Sequence, residues 1–171
     1  GASQLLIGDI RDEQFVAASI TGFETIFHLA AFTSVSGSLE NPDLCTEINV
    51  KGTMNILKWA AKAGVKKIIF SSTSAVYPDH QDIPRSESLT PEPKTPYAES
   101  KLTGEYLLWR CRKNNGPSWI ALRYFNVYGP MQDANSDYAA VIPAFISRIQ
   151  NGLPLIIHGD GHQTRDFIYI D

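Results

Sequence analysis

Apolar residues along this chain fall into short runs separated by longer amphipathic stretches. Gln4-Leu5-Leu6-Ile7, Thr25-Ile26-Phe27-His28-Leu29-Ala30-Ala31, Lys67-Ile68-Ile69-Phe70 and Trp119-Ile120-Ala121-Leu122-Arg123-Tyr124 are near-continuous apolar segments of strand length. They predict buried strands, with Leu155-Ile156-Ile157 and Phe167-Ile168-Tyr169-Ile170 as two short further ones. Between them, helices are predicted from about Asp12 to Ser19, from Pro42 to Ala63, from Pro96 to Lys113 and from about Ala139 to Gln150. The start and stop chemistry supports the two long ones. Asn41 and Thr95 can cap, Pro42 and Pro96 suit the first helical position, and Gly64 and Asn115-Gly116-Pro117 end them. A polar loop is expected through Ser38, and a proline-rich loop (Pro78, Pro84, Pro91, Pro93) leads into the Pro96 helix. Alternating strands and helices predict an α/β fold with a mainly parallel sheet, its functional groups at the carboxyl ends of the strands.

Composition narrows this picture. With 171 residues, 43% hydrophobic and 19% charged, the chain can bury a sizeable core. A net charge of −3 gives no electrostatic reason to expect nucleic acid or an anionic membrane surface. There is no apolar run of about 20 residues, and no basic segment followed by an apolar one opens the chain, so neither a membrane span nor a signal peptide is expected. Cys45 and Cys111 lie far apart within helical patterns and read as reduced thiols, which fits a cytoplasmic setting. His28, His80, His158 and His162 show no ligand spacing, so no metal is expected.

The candidate chemistry lies at Thr95-Pro96-Tyr97-Ala98-Glu99-Ser100-Lys101. Tyr97 and Lys101 are four residues apart and share one helix face. A cation about 4 Å from a phenol at an effective dielectric of about 20 contributes ~4 kcal/mol, enough to bring a tyrosine pKa from about 10 toward about 7. The same spacing also occurs by chance on exposed helices, so its neighbours decide its meaning.

Those neighbours carry a resemblance. Gly8-Asp9-Ile10-Arg11, His28-Leu29-Ala30-Ala31, Asn49-Val50-Lys51-Gly52-Thr53, Ser71-Ser72-Thr73-Ser74-Ala75-Val76-Tyr77, Tyr97-x-x-x-Lys101, Leu122 to Pro130 and Gly159 to Phe167 follow in one order. Together the seven resemble the extended short-chain dehydrogenase/reductases, in the NAD-dependent nucleotide-sugar epimerase/dehydratase branch typified by UDP-glucose 4-epimerase. The resemblance implies a Rossmann-like doubly wound sheet, residues 1–135 being part of an NAD-binding domain and residues 136–171 the start of a nucleotide-sugar-binding region. It implies that Tyr97 removes a proton from a sugar hydroxyl, that Lys101 holds the nicotinamide ribose and lowers the pKa of Tyr97, and that Thr73 hydrogen-bonds the reacting oxygen. Cofactor contacts are implied for Asp9, Ile10, Leu29, Ala30, Ala31, Asn49, Ser71, Ser72 and Tyr124. Substrate contacts are implied for Thr73, Asn126, Ala140, Val141 and Arg165. Plainer readings stand beside several of these: Ala30-Ala31 as small residues between packed layers, Asn49 as a satisfied helix amide, Ser71 as a strand-end hydrogen-bonder, Arg165 as a solvated charge, and His28 as structural.

Three departures shape the expected function. Ser74 and Ala75 stand where related 4,6-dehydratases carry acidic residues, which favours epimerisation over elimination, the dehydratase being the alternative. Thr33 stands where some epimerases have a lysine that reaches the cofactor phosphates. No Gly-x-x-Gly-x-x-Gly or Gly-x-Gly-x-x-Gly occurs, so by the resemblance the first two strands and their glycine loop would precede Gln4, and part of the substrate lobe would follow Asp171. The Leu5–Ile7 strand would then slide against Thr25–Ala31, pair with another chain or float. A homodimer or higher self-association is expected, through sheet edges or the two long helices. A non-catalytic, self-associating fragment is the remaining reading.

Overall fold

A computed structural model describes residues 3–79, 84–133, 141–157 and 159–171. The chain divides into two compact units, residues 1–123 and residues 124–171. In the first, α1 (Glu13–Ile20) and β1 (Thr25–His28) are followed by α2 (Val35–Glu40) and α3 (Pro42–Thr46). A π-helical turn (Glu47–Lys51) leads into α4 (Gly52–Ala63), then come β2 (Lys67–Thr73), a 3₁₀ turn (Ser74–Val76), α5 (Pro96–Lys113) and β3 (Ser118–Tyr124). The strands form one sheet in the order β1-β2-β3, and β1 runs parallel to β2 with Thr25 opposite Lys67 and His28 opposite Phe70.

Strand alternation positions the core. On β2, Ile68, Phe70 and Ser72 are buried beneath the helices, while Ile69, Ser71 and Thr73 are half-buried on the other face. Ile68 and Phe70 pack with Val16 and Ile20 of α1, Ile56, Leu57 and Ala60 of α4, and Leu108 of α5. A fully buried side chain of this size contributes about 1.5–3 kcal/mol. Phe27, Ile120 and Leu122 lie on the opposite face and are exposed.

The helix starts follow the sequence closely. Thr95 accepts a hydrogen bond from the Ala98 N–H at 3.2 Å, and Pro96 takes the first helical position. Gly64 ends α4 in the left-handed conformation at φ 73°, where a glycine has no Cβ penalty. Along α5, a Cβ on Gly104 would lie 2.5 Å from Phe70 Cζ, so only glycine lets the helix approach β2 this closely.

Four expectations are corrected. Gln4–Ile7 forms no strand, and Leu5 and Ile7 are 85% and 90% exposed. The apolar run has no ladder partner and no covering layer among the described residues, and a strand needs both. Leu155–Ile157 is likewise irregular and exposed. The predicted long helix from Pro42 to Ala63 is interrupted by its π-helical turn, centred on Asn49. The polar stretch before Asn41 contains α2, because Ser34 caps it by accepting from the Gly37 N–H at 2.7 Å and Ser38 is wholly buried.

The second unit contains β4 (Asn126–Tyr128), α6 (Val141–Gln150) and β5 (Phe167–Tyr169). β4 and β5 run parallel, with Asn126 opposite Phe167 and Tyr128 opposite Tyr169. The Tyr128 ring packs against those of Phe167 and Tyr169 at centroid distances of 6.2 and 5.4 Å. A cleft of about 470 Å³ in this unit is lined by Tyr128, Gln132, Ile142, Ile146, Gln150 and Tyr169 among others.

Candidate active site

The site of the first unit forms where the N-terminal turn of α5 meets the carboxyl end of β2. Tyr97 is half-buried there, and the Thr73 hydroxyl at the end of β2 acts to lower the pKa of its phenol. The Thr73 oxygen accepts the Ala75 N–H at 3.2 Å, which leaves its own proton free to donate. One turn along, the Lys101 side chain is 4% exposed and its ammonium lies 4.9 Å from the centroid of the Phe70 ring. No carboxylate pairs with it among the described residues.

Burial rules the ionisation of both groups. It pushes the Tyr97 phenol above its usual pKa of 10.0; the Thr73 hydrogen bond pulls the other way, and the Cys45 sulfur adds a smaller upward push. The expectation that Lys101 lowers the Tyr97 pKa is therefore corrected for the chain alone. Desolvation of the phenolate outweighs the lowering by Thr73. Burial also brings Lys101 down from 10.5 to about 8, opposed by Cys45.

A hydrogen-bonded frame fixes this turn. The Tyr97 N–H donates to Ser38 Oγ at 3.2 Å, and Ser38 in turn donates to the Val35 carbonyl at 2.6 Å. Ser100 Oγ donates to the Tyr97 carbonyl at 2.7 Å and accepts from Asn49 Nδ2 at 2.8 Å. Asn49 Oδ1 accepts the Phe32 N–H at 2.7 Å, and its Nδ2 donates to the Phe32 carbonyl at 3.0 Å. The Asn49 amide thus ties the loop after β1 to α5, and the π-helical turn aims it there. Thr53 donates to the Asn49 carbonyl at 2.6 Å, so its partner His28 Nε2, 2.8 Å away, is the donor of that pair. His28 Nδ1 is then a buried acceptor without a partner, and burial, with Lys101 second, brings the ring from 6.5 down to about 4.

The remaining expected residues are dispersed. Asp9 is gripped by the Arg11 guanidinium at 2.6 Å, and that hydrogen bond brings its carboxyl from 3.8 to about 2. The Ile10 side chain packs onto Gly52, and the Ile10 carbonyl accepts from Asn55 Nδ2 at 3.0 Å. Leu29 and Ala30 are exposed beyond β1, Ala31 is half-buried, Ser71 lies on the same face of β2 as Thr73, and Ser72 lies on the helix side. In the second unit, the Asn126 N–H and Nδ2 both donate to the Asp166 carbonyl, at 3.2 and 3.1 Å, which brings Asn126 beside the chain at Arg165. Arg165 and Val141 are exposed, as is Tyr124 at the end of β3. Ala140 lies outside the described residues. Spacing alone did not flag Ser38, Ser100, Glu105 or Arg123; Ser100 and Glu105 share the α5 sequence with Lys101, which is the one signal that could have found them.

A buried ammonium with no carboxylate, beside a phenol and a donating hydroxyl, fits ribose and sugar hydroxyl groups. In this respect the donor set fits the nicotinamide-ribose end of NAD. The sequence matches the NAD dependent epimerase/dehydratase family over residues 2–171. A UDP-glucose 4-epimerase of Mycolicibacterium smegmatis is 36% identical over 163 residues, 91% of this chain and 52% of that protein. The solved UDP-N-acetylglucosamine 4-epimerase of Methanobrevibacter ruminantium M1, in complex with UDP-N-acetylmuramic acid, is 42% identical with a TM-score of 0.89, over 95% of this chain and 52% of that one. A dTDP-glucose 4,6-dehydratase of Streptomyces venezuelae, solved with NAD bound, is 33% identical with a TM-score of 0.86, over 95% of this chain and 49% of that one. The chain belongs to the NAD-dependent epimerase/dehydratase family. It spans about half the length of the curated relatives it matches.

An unpaired buried cation costs stability and is retained here against that cost. The unfolded chain holds the Lys101 proton up to about 10.5 and the folded chain only to about 8, so the penalty is complete below pH 8 and fades between those values. Lys101→Met is expected to stabilise the chain at pH 7 by about 2 kcal/mol, the lost contact with Phe70 offsetting part of the gain. Urea unfolding at pH 7 and at pH 10 checks this: the gain should shrink at the higher pH.

Proposed function

We propose that this chain belongs to an epimerase that inverts a carbon of a nucleotide-activated hexose, of the UDP-glucose/UDP-galactose type, with NAD as resident cofactor. The observation that carries this reading is a buried and unpaired Lys101 one helical turn from Tyr97 on α5, which packs on β2 where that strand ends at Thr73. Tyr97, as its phenolate, takes the proton from the hydroxyl on the carbon to be inverted and, as the phenol so formed, returns it at the end of the cycle. Thr73, its own oxygen engaged by the Ala75 N–H, donates to that reacting oxygen. Lys101 holds the ribose hydroxyls next to the nicotinamide, and the backbone of Leu29, Ala30 and Ala31, with Ser71, Ser72 and Asn49, frames the cofactor side. Asp9 and Ile10 serve its adenine end. Bound among these residues, NAD would supply a reversible hydride acceptor, so that inversion would carry no net oxidation.

In the second unit, Asn126 and Arg165 are assigned to the substrate diphosphate, where a planar guanidinium fits the anion. Ala140 and Val141 are assigned to the nucleotide and Tyr124 to the nicotinamide side. Residues 1–135 serve the cofactor and residues 136–171 begin the sugar-nucleotide region. Epimerisation is favoured over dehydration because the 3₁₀ turn after Thr73 offers Ser74 and Ala75 rather than a carboxylate. A cytoplasmic setting accords with the free thiols of Cys45 and Cys111. NADH fluorescence that saturates with this chain, and is lost in Tyr97→Phe and Lys101→Ala, is the expected result. No binding at millimolar cofactor would leave a non-catalytic module. With UDP-glucose and UDP-galactose, interconversion is expected of a form extended through a glycine loop, and a 4-keto-6-deoxy product would overturn the epimerase reading. Self-association is part of the proposal, motivated by the exposed Phe27, Ile120 and Leu122. Sedimentation at tens of micromolar should show dimers or larger species, and a clean monomer would refute it.

A further inference from the structure

Among the ion pairs of the described residues, Arg123–Glu105 is the most enclosed, with side chains 19% and 13% exposed. Its fork is complete: Arg123 Nε donates to Glu105 Oε1 at 3.0 Å and Nη2 to Oε2 at 2.8 Å. Glu105 Oε1 also accepts the Ser72 hydroxyl at 2.5 Å, and the guanidinium lies 4.9 Å from the centroid of the Tyr77 ring. One carboxylate on α5 therefore holds the last buried residue of β2 and a residue of β3 together. The Glu105 hydrogen bond raises the Arg123 pKa further above its ordinary value, outweighing the opposing effect of burial, and Tyr77 adds to the rise. Ser72 apart, the proposed chemistry gives this cluster no role.

Its position gives it one. Glu105 lies eight residues after Tyr97 on α5, about 12 Å along the helix axis. Ser72 immediately precedes Thr73, and successive strand residues point to opposite faces. Fixing Ser72 against α5 therefore fixes the backbone from which Thr73 projects. Between the two anchor points, Gly104 lies against Phe70 and Lys101 sits over the same ring. Helix and strand are thus tied at Glu105–Ser72, two turns along α5 from Tyr97 and one residue before Thr73.

We propose that Glu105 is a positioning residue: by clamping Ser72 and Arg123 to α5, it holds the Thr73 hydroxyl against the Tyr97 phenol. The proposal rests on the reading of Tyr97 as the acid/base group. Among the described residues, the other titratable groups coupled to that turn are Lys101, Cys45 and His28, and the variants below leave all three in place.

The test is the ionisation of Tyr97 in the chain as it stands, read by ultraviolet absorbance as the difference between each protein and its Tyr97→Phe counterpart. Thr73→Val should raise the Tyr97 midpoint by roughly half to one pH unit, since a hydrogen bond to the phenolate is lost. Glu105→Gln should raise it in the same direction, and the double variant should go no further than either alone. The sign is diagnostic, because deleting a carboxylate acting only through its charge would lower the midpoint. Arg123→Lys, which keeps the charge but loses the fork, should also raise it and serves if Glu105→Gln does not fold. Unchanged or lowered midpoints in the folded Glu105 and Arg123 variants, or shifts that add to that of Thr73→Val, would overturn the proposal. Turnover does not enter this measurement, so failure of the epimerase reading and failure of the clamp are separate outcomes.

Discussion

The first unit depends on how closely α5 lies against β2. At Gly104 there is no room for a methyl group beside the Phe70 ring, and that closeness brings the chemistry together. The same ring that fills the core under the helix also faces the Lys101 ammonium. Packing and the proposed chemistry therefore share one side chain. Phe70 anchors the apolar face of β2 and gives a buried cation a π surface in place of a carboxylate. A carboxylate there would neutralise the ammonium and compete with any incoming hydroxyl.

The arrangement stores unfavourable electrostatics at the mouth of the sheet. Lys101 and His28 are both buried bases pushed toward their neutral forms, and the Tyr97 phenol is pushed toward its neutral form as well. Desolvation is the first cause in each case. Such a cluster is held in place by its surroundings rather than by its own interactions. Ser38, Ser100 and Asn49 hold the backbone on one side, and Glu105 with Ser72 and Arg123 holds the other. The π-helical turn belongs to that support, since it aims the Asn49 amide at the loop after β1 and at Ser100.

Much of this was readable in the residues. Thr95-Pro96 marks a helix start through local chemistry alone, and Gly64 marks a stop for the same reason. The four-residue spacing of Tyr97 and Lys101 fixes their shared face, and the ordered motifs identify the family. What was not readable depended on three-dimensional partners. Leu5 and Ile7 have strand composition, but without a ladder partner they form none. The Val35–Glu40 helix has a glycine and two serines, and arises from the Ser34 cap and the burial of Ser38. The direction of the Tyr97 shift turned on desolvation, which a helical spacing does not reveal. Glu105 and Arg123 are 18 residues apart, and their pairing appears only once β3 lies beside β2.

The central claim is that the seam between α5 and β2 keeps a lone ammonium buried for a ligand's hydroxyl groups. Nitrogen-15 NMR of lysine-labelled chain, with the Lys101 resonance assigned through Lys101→Met, measures that burial without any ligand or turnover. The account predicts a titration midpoint near 8 for this one ammonium. A midpoint at the ordinary 10.5 would mean that Lys101 is solvated or paired, and would contradict the account at its base.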